Sequence, residues 1–163
     1  MTNEVIRTWL EIYTKINQSS INIFLCGKKT SDLNSIRHFL LKKYNEIPRA
    51  NIVLPEWLFH DLLDKPEYDL LSLEGILAED VDKIIIPIES FGAACELGAF
   101  SVIRETCDKL LVISDVHYKN DQSFLRYGPF KLVKKSKGHL IFFKPNDMES
   151  MAKNVIDKTI YAR

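Results

Sequence analysis

A carboxylate one turn inside a small-residue helix, just past an apolar strand, is the feature of this sequence best placed to do chemistry. It lies in the run Ile84-Ile85-Ile86-Pro87-Ile88-Glu89-Ser90-Phe91-Gly92-Ala93-Ala94-Cys95-Glu96-Leu97-Gly98-Ala99-Phe100. The β-branched stretch reads as a buried strand, and a Glu-Ser-x-Gly turn leads into the helix that carries Glu96. In an α/β protein, ligands bind where a strand's carboxyl end meets a helix N-terminus. Partial positive charge at the helix end favours the ionised carboxylate. Small residues at 92, 93, 94, 98 and 99 let a flat ligand or another backbone approach closely. Such a carboxylate suits attack on, or stabilisation of, an oxocarbenium-like sugar carbon. The same spacing also serves a ribose-hydroxyl acceptor, or a plain helix-end acid whose alanines pack on the sheet.

Glu89 is the natural second carboxylate. At the strand's end it can accept ribose hydroxyls, or share a proton with Glu96 and raise one of the two pKa values. Glu56, after Pro55, points to the same sheet edge, as does Asp69, and either can protonate a leaving base. Each of these three also reads as an ordinary surface acid. Gly27, Lys28 and Lys29 follow the first strand, where backbone N–H groups and ammonium charge suit a phosphate. The loop carries neither GxGxxG nor GxxxxGK[ST], so an ATP-type phosphate loop is not indicated. Lys131, Lys134, Lys135 and Lys137 form a local basic cluster near Tyr118, Phe124, Tyr127 and Phe130. That cluster fits a nucleotide contact or a solvated helix face. Cys95 adjoins Glu96 without a nearby His, and packing explains it better than nucleophilic catalysis. His38, His60, His117 and His139 show no metal-ligand spacing with Cys26 or Cys107, so no metal is expected.

These residues need a frame. The spacing of Val5, Ile6, Trp9, Leu10, Tyr13 and Ile16 predicts an opening helix over about 4–17. Strands are predicted at 21–26, 51–54, 84–88, 109–114 and 140–143. Helical patterns run through Ile36–Tyr44, from Trp57 to Leu63, from Leu70 to Leu77, over 129–135 and over about 147–161. Asp115–Gly128 reads as a polar loop. Short apolar strands without alternation, separated by helices, indicate a parallel sheet covered on both faces. Right-handed crossovers then give a five-stranded, doubly wound, flavodoxin-like or Rossmann-like α/β sheet over 1–163 as one domain.

Composition narrows the classes. The chain has 163 residues, with 22 basic and 22 acidic side chains, so bulk charge does not drive it onto nucleic acid. No apolar run approaches the roughly 20 residues of a membrane span, and the N-terminus lacks a signal-peptide pattern. Three cysteines without a CxxC pair fit a reducing cytoplasm.

Gly92-x-x-x-Glu96-x-Gly98 after a strand resembles the nucleophile segment of the nucleoside 2-deoxyribosyltransferase superfamily. More closely, Glu89-Ser90-x-Gly92-x-x-x-Glu96-Leu97-Gly98-Ala99-Phe100, with Tyr118-Lys119-Asn120, Ser123-Phe124 and Gly128-Pro129-Phe130-Lys131-Leu132, resembles the ribosyltransferase-like effectors of bacterial retron defence systems. The resemblance spans roughly residues 20–145. It implies that Glu96 attacks the anomeric carbon, that Gly92 and Gly98 shape its turn, and that Gly27 borders the nucleotide loop. Ser90 and Glu89 stand near where the superfamily carries an aspartate, and Cys26-Gly27-Lys28-Lys29 stands where it carries a tyrosine. The resemblance further implies an N-glycosidase or ribosyltransferase acting as a toxin of phage defence. Nucleotides or NAD would be its substrate rather than a cofactor. A reverse transcriptase with its DNA–RNA product would be the partner, and a homo-oligomer is expected. A non-catalytic nucleotide sensor, and a structural subunit joined through Trp9 and Tyr13, are the rival readings.

Overall fold

In the computed structural model the described residues are Arg7, Leu10, Glu11 and 21–161. The predicted helix over about 4–17, with Trp9 and Tyr13, otherwise lies outside them. Five strands, β1 (Ile21–Leu25), β2 (Ala50–Val53), β3 (Lys83–Pro87), β4 (Leu110–Asp115) and β5 (His139–Phe143), form one sheet. The sheet order is β2-β1-β3-β4-β5 and every pairing is parallel. This is the doubly wound order expected from the apolar strands, and its switch point falls between β1 and β3.

Side chains alternate across the strands, which builds two cores. On one face Ile23, Leu25, Ile85, Leu111 and Ile113 pack against α1 (Ile36–Asn45) and α8 (Met148–Ile156). On the other, Phe24, Cys26, Ile84, Ile86 and Val112 pack against α3 (Leu70–Asp80), α4 (Phe91–Ser101) and α7 (Pro129–Lys135). The helices of both faces cover the sheet, so its strands need no polar side.

Three local departures from the predicted elements have physical causes. The pattern from Trp57 to Leu63 is helical only over α2 (Pro55–Leu58). It then tightens into turns, with Phe59 N–H donating to Pro55 O at 2.8 Å and Leu62 N–H to Phe59 O at 2.8 Å. The region after β4 is not featureless: it holds a 3-10 turn, Val116–Lys119, and α6 (Phe124–Tyr127). Asp115 and Ser123 start these, accepting from the His117 and Arg126 N–H groups. Between α4 and β4 a further short helix, α5 (Arg104–Cys107), closes the crossover.

Gly138 leads into β5 because nothing larger fits. A Cβ there would lie 2.6 Å from the Cys107 carbonyl oxygen and 2.9 Å from that of Leu110, both backbone atoms. Gly138→Ala is therefore expected to lower stability by about 2 kcal/mol, the scale of forced overpacking. Urea unfolding measures it, and an unchanged midpoint would contradict this packing account.

Candidate active site

The order of the sheet brings the ends of β1 and β3 side by side, and a cavity of about 390 Å³ opens there. Cys26 directly follows β1, its N–H donating to Ile85 O at 2.9 Å. Gly27 then turns the chain with a φ of 120°, a conformation that favours glycine. Glu96 reaches the cavity from α4, Glu74 from α3, Glu56 from α2 and Arg37 from α1. Leu63 and Leu70 supply apolar wall.

Arg37 is almost fully buried, at 3% exposure. Its Nε donates to Leu25 O at 3.0 Å, its Nη1 to Lys28 O at 2.8 Å and its Nη2 to Glu56 Oε2 at 2.8 Å. One guanidinium thus ties the end of β1, the following loop and α2 together. Across the cavity, Glu96 Oε2 is buried without a hydrogen-bond partner among the described residues. Native structures leave few buried polar atoms unsatisfied, and such atoms are candidates for function.

Burial pushes the Glu96 carboxyl above the ordinary range. The neighbouring Cys26 thiol and the Arg37 charge pull it back. Glu74, 3% exposed, is pushed up to about 8 by burial first and then by the charge of Glu96. It therefore holds its proton at neutral pH. Two acids in one cavity, one held protonated, are the parts of an acid and nucleophile pair. The Cys26 thiol is raised well above its usual value by burial and by both glutamates, which leaves it un-ionised.

The predicted site residues divide. Gly27 and Glu56 line the Glu96 cavity. Lys28 lies beside it, with its carbonyl on Arg37 and its Nζ 3.3 Å from Asp32. Glu89 and Ser90 instead line a second cavity of about 730 Å³, with Asp115 and Tyr118. Glu89 accepts from the Ile36 N–H at 2.8 Å and the Arg37 N–H at 3.4 Å, which makes it the acid at the start of α1. Burial still raises its carboxyl against those contacts. Ser90 caps α4, accepting from the Ala93 N–H at 3.2 Å. Gly92 and Gly98 sit on α4 with open space where a Cβ would stand, apart from the Ser90 hydroxyl 3.9 Å from Gly92. Asp69 caps α3 through the Ser72 N–H at 2.8 Å. Lys135 and Lys137 border a third cavity with Arg104.

Arg37 and Glu74 escape a motif search, yet both leave a signal. Arg37 shares a helical stripe with Leu40 and Tyr44, and Glu74 shares one with Leu77 and Ala78. A charge inside an apolar stripe needs a partner, which marks it for attention.

The raised Glu74 pKa makes a prediction about folding. The native state keeps a proton that the unfolded chain releases above about pH 4.5, so stability falls as pH rises until about 8. One such proton gives a slope of at most about 1.4 kcal/mol per pH unit. Urea unfolding from pH 5 to 8 is expected to show that decline, and Glu74→Gln to flatten it. Parallel curves for the two proteins would contradict the buried-acid assignment.

Comparison with known proteins gives the lineage. Residues 33–162 match the STM3845 retron effector protein family. Over 139 residues the chain is 40% identical to the Escherichia coli protein named "Retron Ec86 putative ribosyltransferase/DNA-binding protein", covering 84% of this chain and 45% of that one. Over 131 residues it is 30% identical to the Escherichia coli "Retron Ec73 putative ribosyltransferase/DNA-binding protein", covering 75% of this chain and 42% of that one. The chain thus spans less than half the length of these two relatives. No described helix is long and apolar enough to cross a membrane. The chain belongs to the retron effector family.

Proposed function

We propose that the protein is a retron effector that cleaves the N-glycosidic bond of a nucleotide or of a dinucleotide such as NAD. The observation that carries the reading is the buried, unpartnered Glu96 oxygen in a cavity at the β1/β3 switch point. The names of the two relatives, each a "putative ribosyltransferase/DNA-binding protein", point to the same chemistry.

In this reading a Glu96 oxygen attacks the anomeric carbon, and the carbon–nitrogen bond breaks as the glycosyl ester forms. A neutral base leaves with the proton held by Glu74. A base that is already cationic, such as nicotinamide in NAD, leaves neutral without it. Water then attacks the ester carbon and Glu96 departs as carboxylate. After loss of a neutral base Glu74 recovers its proton from that water; after loss of nicotinamide, with Glu74 still protonated, the water's proton passes to solvent. The Arg37 charge, held in place by its own three hydrogen bonds, opposes the burial that raises the Glu96 carboxyl and so favours its ionised form. Glu56, fixed on Arg37, offers its remaining oxygen to sugar hydroxyls. The cavity's apolar wall at Leu63 and Leu70 accommodates the face of a base.

The biological role that follows is a toxin of phage defence acting in the cytoplasm. A complex of reverse transcriptase with its DNA–RNA product would hold it inactive, and release would deplete a nucleotide pool. The test is base release from NAD and from mixed nucleotides, followed by chromatography. Glu96→Gln is expected to lower release at least about 1,000-fold, the scale of removing a nucleophile. Glu74→Gln is expected to slow release of neutral bases about 100-fold, the scale of one general acid, and to spare nicotinamide release. Activity retained in Glu96→Gln would overturn the nucleophile assignment. Tight binding of these ligands without turnover in the unaltered protein would favour a sensor instead.

A further inference from the structure

We propose that the cavity of about 730 Å³ at the ends of β3, β4 and β5 is a nucleoside site. It takes an uncharged, adenosine-type group, with the base against Phe91 and Tyr118 and a ribose hydroxyl on Asp115. The site is separate from the Glu96 cavity and does not depend on what Glu96 does.

The two cavities lie along one rim of the sheet. Ile36 of α1 lines the larger and Arg37 the smaller, while α4 gives Ala94 to the larger and Glu96 to the smaller. The carboxyl ends of the strands are where such folds bind ligands. Pockets of this volume suit small molecules when mostly apolar walls carry a few converging polar groups. Here Ile88, Leu125 and Phe143 supply apolar wall, and Asn34, Ser90 and Asp115 bring polar atoms. Phe91, the first residue of α4, is 95% exposed, and Tyr118 is 44% exposed. A lone exposed ring means little. Two on the wall of one cavity offer a base a surface to stack on.

Charge decides which part of a nucleotide fits. No residue lining the larger cavity is Lys or Arg, and two of them, Glu89 and Asp115, are acids. A phosphate there would meet like charge, whereas a nucleoside brings hydrogen-bond donors. Glu89 is committed to the Ile36 and Arg37 N–H groups. Asp115 engages the His117 N–H at 2.9 Å and the His117 ring Nδ1 at 2.6 Å, both through Oδ1, which leaves Oδ2 to accept a hydroxyl. An acid at the end of a strand accepts ribose hydroxyls in other nucleotide-binding sheets. The Asn34 amide offers the paired donor and acceptor that match an adenine edge. Lys29, in contrast, lines the Glu96 cavity. The nucleoside is therefore either free or the far half of a dinucleotide whose phosphates and other half lie on the Glu96 side.

The test is calorimetric titration with adenosine in the Glu96→Gln background, where cleavage does not interfere. The expected Kd is about 0.1 mM, the scale for a ligand of this size. Phe91→Ala and Tyr118→Ala are each expected to raise it about tenfold, the scale of one base–aromatic contact. Phe124→Ala, which removes an exposed ring outside the cavity wall, should leave it unchanged. Asp115→Asn keeps an oxygen for the His117 N–H. It should weaken adenosine about tenfold and leave 2′,3′-dideoxyadenosine unaffected, because that probe lacks the hydroxyls. No adenosine binding by about 5 mM, or a Kd unchanged in both Phe91→Ala and Tyr118→Ala, overturns the proposal. Displacement of adenosine by NAD identifies the ligand as the far half of a dinucleotide, and simultaneous binding identifies a free nucleoside; either upholds the site. Adenosine held in this way by a protein that, unaltered, releases no base from NAD would sink the Glu96 reading alone. Base release without an adenosine site would sink this one alone.

Discussion

A single buried guanidinium makes the rest of the site possible. Three carboxylates, Glu56, Glu74 and Glu96, converge on a cavity with apolar walls. Left alone in so poor a dielectric, they would protonate or push the helices apart. Arg37 stands among them with its charge and binds Glu56 directly, while its other nitrogens hold the carbonyls of Leu25 and Lys28. The same side chain therefore fixes backbone geometry and opposes the burial that raises Glu74 and Glu96. Breaking a buried pair of this kind typically costs about 3–5 kcal/mol, because the surviving partner is left charged and unpaired. Gly27 belongs to this arrangement, since a Cβ there would lie 3.4 Å from Arg37 Cβ on a backbone already at positive φ.

Much of the fold was legible because apolar runs such as Ile84–Ile86 and Leu110–Ile113 do not alternate, which only a sheet covered on both faces allows. Glu96 was legible for the same reason: it follows the end of such a strand by a fixed distance. Glu89 shows where reading along the chain stops. It is near Glu96 in sequence, but it stands in the loop between β3 and α4 and turns to the start of α1, while α4, which packs on the other face of the sheet, carries Glu96 to the cavity. Arg37 and Glu74 were hidden for a different reason. A charged residue in a helix is ordinarily solvated, and only the packing of two distant helices shows that these are not. The turns after α2 were missed because Phe59 and Leu62 keep helical spacing while the backbone tightens.

The chemistry is a consequence of topology rather than of a motif. The switch point exists because β1 lies between β2 and β3, so the crossovers from β1 and β3 leave on opposite faces of the sheet. Side chains from α1, α2, α3 and α4 meet there. Many proteins share such a fold without sharing a reaction, so the functional reading rests on the cluster itself and on membership of the retron effector family. Within that cluster, burial acts on two of the acids. It raises Glu74 to about 8, and it raises Glu96 against the pull of the Cys26 thiol and the Arg37 charge.

The central claim is that Glu96 forms a bond to sugar carbon. Its most direct test is trapping with a 2-fluoro-arabinosyl analogue of NAD, read by intact-protein mass and peptide mapping. The account predicts a single fluoroglycosyl adduct on Glu96, formed as nicotinamide is released. An adduct on a different residue, or nicotinamide release with the protein mass unchanged throughout, would contradict it.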